Sequence, residues 1–200
     1  MVADDIPWDE KTNWQKVKKV YYYVFEENTL LSWVVSIILA FVIVKFIFYP
    51  FLSLVLGTGL PLVAVISPSM EHEHMDFDSW WDANGEWYES QGLTKEQFND
   101  FTMRDGFYKG DVIVLKGKDS VEVGDTVVYT NSYSGQISNY PIIHRVTFIN
   151  ETANSFEVKG DNNDMPDQWP IVEDEVVGTA YLRIPYIGWL KIWFAQLIGG

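Results

Sequence analysis

The chain has 200 residues and carries 28 acidic side chains against 14 basic ones, a formal net charge of −14 at pH 7. That balance, with no cluster of Lys or Arg, excludes nucleic acid as a partner, because phosphate binding draws its affinity from grouped cations. The absence of cysteine removes disulfides, thiolate metal sites and a cysteine nucleophile, and the length suits one folded unit plus a further segment.

Residues 1–29 read as a polar tail running into a short helix, with Val17, Val20, Tyr21 and Val24 spaced for one face. The aromatic run Tyr21, Tyr22 and Tyr23 suits the headgroup region of a bilayer, where amphipathic rings collect. Residues 30–56 then supply an anchor. Its first part, LLSWVVSIILAFVIVKFIFYP, offers about 20 mostly apolar residues, the length a helix needs to cross roughly 30 Å of hydrocarbon. A cleaved signal peptide has a shorter apolar core and a small-residue cleavage site, which this stretch lacks. Lys45 falls near the end, where its stem reaches the interface, and Pro50 leaves open whether the helix resumes over 51–56. Lys11, Lys16, Lys18 and Lys19 precede the span and no Lys or Arg lies between Lys45 and Lys95. The positive-inside rule therefore puts the N-terminus in the cytoplasm and residues 57–200 outside, as the extracytoplasmic domain of a single-pass membrane protein.

After the anchor, residues 61–67 read as an apolar strand opened by Pro61. Residues 72–108 change to a helical pattern: Phe77, Trp80, Trp81, Trp87 and Tyr88 stack on one side of a helix. Gln91-Gly92 makes a turn, and Thr94 with Gln97 forms a capping box before a second helix carrying Phe98 and Phe101. This predicts a helical hairpin inserted between strands, its rings either covering the β core or dipping into the membrane interface. The segments 111–116, 126–130, 142–149, 155–159 and 175–183 are short and rich in Val, Ile and aromatics, with Gly-Asp turns between several of them. The fold class is mainly β, a closed or coiled barrel-like domain. Residues 185–200 hold about 14 apolar-rich positions, too few to span a bilayer and suited to lying in its interface.

Chemistry has few places to reside. Serine catalysis needs a hydroxyl, a base, a group to orient the base and donors for the oxyanion, and the chain has three histidines. His72 and His74, in Glu71-His72-Glu73-His74, have the makings of a metal site with carboxylate help, but the run reads better as a solvated, charged junction leading into the insert. His144 sits in the apolar run Pro141 to Val146, where an imidazole is either hydrogen-bonded in the core or employed. Asp161 and Asp167, six apart in a turn that follows a strand, can each reach such a ring.

Together these pieces resemble the type I signal peptidases. The resemblance is carried by Ser67-x-Ser69-Met70-Glu71 after the anchor, Lys109-Gly110-Asp111-Val112-Ile113, Val123-Gly124-Asp125, Ile143-His144-Arg145-Val146, Gly160-Asp161-Asn162-Asn163 with Asp167, and Val176-Val177-Gly178. It covers about residues 35–195 without the insert. Histidine at 144, where bacterial members carry lysine, is similar to the branch shared by archaea and the eukaryotic endoplasmic reticulum, and the insert on a lone anchored chain looks archaeal. The resemblance implies Ser69 as nucleophile, His144 as base, Asp167 or Asp161 as the orienting acid, and Ser67 with the Ser69 N–H as the oxyanion site. It implies no cofactor or metal, and as partners the signal peptides of secretory preproteins, the bilayer of the cell membrane, and accessory subunits or the protein-export channel. Pro68 stands where the family usually has glycine and His72 where proline usually follows. The competing reading is a non-catalytic anchored β module that binds a partner through the aromatic hairpin.

Overall fold

The computed structural model describes residues 7–117, 120–130 and 141–197. The first six residues of the predicted tail and the last three of the C-terminal segment lie outside them. Contacts divide the chain into two units, residues 1–52 and 53–200.

In the first unit, helix α1 spans Asn13–Phe25 and helix α2 spans Leu30–Ile43, and each starts in a reciprocal cap, Thr12 with Gln15 and Thr29 with Ser32. Such caps satisfy amide groups that the first turn leaves without partners. Ser36 Oγ donates to the Val24 carbonyl at 2.7 Å and ties the two helices together. The helix continues past α2 through a π turn, Val44–Phe48, into α3, Tyr49–Leu56. Pro50 therefore does not end it. A proline lacks an N–H and crowds the carbonyl four residues back, and a widened turn just before it absorbs both effects. The run Leu30–Leu56, 27 residues, is the one helix among the described residues long and apolar enough to cross a membrane. Only 6% of its most apolar stretch is buried, so it is not packed as the core helix of a soluble domain.

The second unit is a curled antiparallel sheet of seven strands in the order β1-β2-β7-β3-β4-β5-β6. The strands are β1 Leu62–Ala64, β2 Val112–Lys116, β3 Thr126–Tyr129, β4 Ile142–Asn150, β5 Ser155–Lys159, β6 Ile171–Val172 and β7 Val176–Ile184. The sheet agrees with the predicted β class, with β1 and β6 as its two edges. Sequence reading missed β6, because two residues carry no periodicity. Two clusters fill the curl. One joins Val63, Val65, Met70, Ile113, Leu115, Val128 and Ile143, and the other Val127, Tyr129, Val146, Phe156, Val158 and Ile171. Neighbours along one strand thus serve different clusters, as the two-residue period of a strand requires.

The inserted segment forms helices α4, Phe77–Ser90, and α5, Lys95–Asn99, capped by Asp76 and Thr94. Its rings make a core of their own: Phe77, Trp80, Trp81, Tyr88 and Phe98 are buried together with Leu93. This cluster is separate from the two that fill the sheet, so the rings do not simply cover the β core as one expectation had it. Trp87 and Phe101 pack against this cluster and are partly exposed. A last helix, α6, spans Gly188–Leu197 and exposes Leu190, Trp193 and Phe194.

Candidate active site

Strand β1 delivers Ser69. Beyond Ala64, Val65 keeps the ladder going by exchanging backbone hydrogen bonds with Asp111 and Gly110. The chain then turns, the Glu71 N–H donating to the Pro68 carbonyl at 3.0 Å. Met70 is fully buried in the core, while Ser69 beside it is half-buried and Ser67 and Pro68 are exposed. The methionine therefore pins the segment and leaves the serine hydroxyl at the surface. Ser67 Oγ lies 3.2 Å from Ser69 Oγ.

The 160–163 turn grips this segment from the other side. The Asn162 N–H donates to the Ser69 carbonyl at 2.8 Å, and Asn162 Nδ2 donates to the Pro68 carbonyl at 3.2 Å. Gly160 permits the approach, since a Cβ there would fall 2.7 Å from the Ser69 carbonyl oxygen. The register of β4 on β5 pairs Arg145 with Lys159 and Val146 with Val158. That ladder ends with Arg145 and Lys159, next to His144 on one strand and to Gly160 on the other, the residue against which Ser69 rests.

His144 and Arg145 are successive on β4 and so point to opposite faces. On one face, His144 Nδ1 lies 2.7 Å from Asp167 Oδ1 and 3.3 Å from the Tyr129 hydroxyl, which itself donates to Asp167 Oδ2. The Asp167 N–H donates to the Val158 carbonyl at 2.9 Å, fixing the carboxylate against β5. Burial, with the Asp167 carboxylate adding to it, pushes the Tyr129 hydroxyl far above its ordinary range. Tyr129 therefore remains a donor. An ionised Asp167 accepts from Nδ1–H, which fixes the tautomer and leaves Nε2 as the basic nitrogen.

On the other face, Arg145 is fully buried and uses all its N–H groups. Nε and one Nη donate to Asp161 at 2.9 and 2.7 Å, and the rest go to the carbonyls of Thr102, Met103 and Gly124, each at 2.9 Å. Asp161 also accepts from the Tyr88 hydroxyl at 3.1 Å and faces His72 Nε2 at 3.2 Å. Burial opposes its ionisation, but the Arg145 guanidinium and the His72 bond outweigh it and hold the carboxyl well below the usual range. Of the two carboxylates expected to orient His144, only Asp167 touches it.

One expectation is overturned here. His72 is not part of a solvated junction; it is fully buried, its ring stacked on Trp80 at 3.8 Å and tilted by 1°. Two glutamates beside it made the run look polar, but the ring turns inward at the start of the insert. His74 stacks on Tyr108 instead and does not join it. Tyr129 was also missed, since a tyrosine in an apolar strand carries no signal apart from its packing.

No protein-family model matches the chain. Curated proteins do. It is 33% identical over 105 residues to the signal peptidase complex catalytic subunit SEC11 of Plasmodium falciparum, covering 48% of this chain and 55% of that protein. It is 28% identical over 163 residues to the SEC11 subunit of Yarrowia lipolytica, covering 76% and 73%, and 28% identical over 166 residues to that of Lachancea thermotolerans, covering 76% of each. The chain thus spans about half the length of the first of these relatives and about three quarters of the other two. By these matches the chain is similar to the catalytic subunits of the signal peptidase complex.

Proposed function

We propose that the protein is a membrane-anchored serine endopeptidase that removes signal peptides from secretory preproteins. Ser69 Oγ attacks the carbonyl at the end of the signal peptide while His144 Nε2 takes its proton. The Ser67 hydroxyl and the Ser69 N–H receive the oxyanion, His144 returns the proton to the leaving amine, and water releases the acyl-enzyme. Asp167 holds the imidazole, and Tyr129 holds Asp167. The observation that carries this reading is the His144–Asp167 pair at 2.7 Å on the strand end facing the turn that grips Ser69.

Strand β1 is a sheet edge that leads straight to Ser69. Such an edge suits an extended peptide added as a further strand, and the small residues at a signal-peptide cleavage site suit shallow pockets beside it. The cell-membrane location, the N-terminus-in orientation and any accessory subunits or export channel belong to the same proposal, supported by the 27-residue apolar helix and by relatives named as subunits of a complex. So does an archaeal source, which rests on the insert, while the relatives named above are eukaryotic.

Cleavage of a preprotein in detergent or liposomes tests the reading. Ser69→Ala and His144→Ala should each abolish it. Retained cleavage in either variant refutes the assignment. A serine-directed acylating probe should label the unaltered chain and not Ser69→Ala; the binding-module reading expects no labelling of Ser69.

A further inference from the structure

We infer that the inserted segment 72–108 is a positioning element of the reaction site: His72 and Tyr88 hold the Asp161 carboxylate, and through it the turn that grips the Ser69 backbone. This rests on the functional reading above and adds the insert to its working parts.

Asp161 is a buried ion, and such a group is tolerated only where its lone pairs are met by well-placed donors. Arg145 supplies two. The others come from the insert, Tyr88 on α4 and His72 just before it. Arg145 depends on the insert as well, because two of its N–H groups end on the Thr102 and Met103 carbonyls and its guanidinium lies 4.5 Å from the centre of the Phe98 ring. The buried ion pair is therefore closed off by this segment.

The link from that pair to the reacting groups is short. Arg145 follows His144 on β4. The Asp161 N–H points at Met70 Sδ at 3.4 Å, and the next residue, Asn162, donates to the Ser69 carbonyl. The insert also touches the serine segment directly: Gly106, at φ +65°, packs so closely that a Cβ would fall 2.4 Å from the Met70 carbonyl oxygen and 2.6 Å from His72 Cδ2. Every residue flanking the serine is thus braced by 72–108 or by a group that the segment holds.

His72 carries a sign of purpose beyond filling space. Its Nε2 faces Asp161, and its Nδ1 is buried with no protein partner among the described residues. An apolar side chain fills the same space without the cost of stranding an acceptor. The imidazole is worth that cost for the hydrogen bond that its Nε2–H gives Asp161. Trp80, stacked face to face, keeps the ring in the one orientation that makes it.

Preprotein cleavage by the full chain, with the unaltered chain as reference, tests this. Tyr88→Phe and His72→Leu should each lower kcat about ten-fold or more and leave KM within about two-fold, since a small misplacement of a nucleophile costs rate and not binding. His72→Gln, which loses the same ring stacking but keeps a donor for Asp161, should recover most of the kcat lost in His72→Leu. Thermal melting establishes that each variant is folded at the assay temperature. If His72→Leu does not fold, Tyr88→Phe, which deletes a single oxygen, decides alone. Unchanged kcat in Tyr88→Phe, or equal losses in His72→Gln and His72→Leu, overturns the inference. A reference chain that cleaves nothing overturns the functional reading, and this with it; cleavage by the reference with unchanged variants overturns the positioning role alone.

Discussion

Asp161 and Asp167 close the two ends of one turn, yet they live in different chemistry. Asp161 is fully buried, paired with a guanidinium and satisfied by four hydrogen bonds. Asp167 keeps part of its surface in solvent and faces an imidazole and a phenol. The difference comes from β4, where His144 and Arg145 project to opposite faces and each carboxylate meets the group on its own side. Identical side chains in one short segment therefore divide into a partner for a buried guanidinium and a partner for an imidazole. Residue type did not assign the roles; what stands across from each carboxylate did.

The largest way to sharpen that contrast is Asp167→Asn. It preserves shape and removes the charge that fixes the His144 tautomer, so preprotein cleavage should fall by roughly 10⁴-fold in kcat, with the melting temperature nearly unmoved. A variant that melts far earlier and still cleaves at a normal rate breaks the contrast. Asp161→Asn should do the reverse in character. It strands the Arg145 charge in the interior, and breaking such a buried pair costs about 3–5 kcal/mol, which urea unfolding measures.

Acid probes the same pair. The folded state binds the Asp161 proton more weakly than the unfolded chain does, because its carboxyl is held below the usual range. Its contribution is complete above about pH 4, the ordinary carboxylate value, and is lost as pH falls from there toward the folded value. Unfolding free energies of the unaltered chain and of Asp161→Asn should therefore converge in strong acid and stay apart at neutral pH. A gap that persists in acid assigns the difference to packing instead.

Tyr129→Phe should have the smallest effect. Asp167 keeps its carboxylate bond to His144 and its backbone bond to the Val158 carbonyl and loses one hydroxyl donor, a change of about 1 kcal/mol, read as a three- to ten-fold drop in kcat. A loss as large as that of Asp167→Asn makes the phenol an equal partner and redraws the site.

Much of this was legible before any fold was known. The apolar run from Leu30 announces its helix because length and hydropathy are properties of the chain alone, and Thr94 with Gln97 announces a helix start because a cap spans only four residues. Ser69, His144 and the Asp161–Asp167 turn stood out as short local patterns. His72 misled because its neighbours are charged, and nothing local says which way a ring turns at the head of an insert. Tyr129 and β6 left no pattern at all.

The sequence by itself determined the long apolar helix, the β character of the larger unit, the inserted helices and the short roster of groups able to do chemistry. Only the tertiary structure decided which carboxylate meets the imidazole, that His72 is buried, and that the insert's rings pack on each other. The reason is physical: composition and periodicity act between residues close along the chain, whereas these pairings depend on strand register and on which face each side chain takes, set by ladders joining segments far apart in sequence.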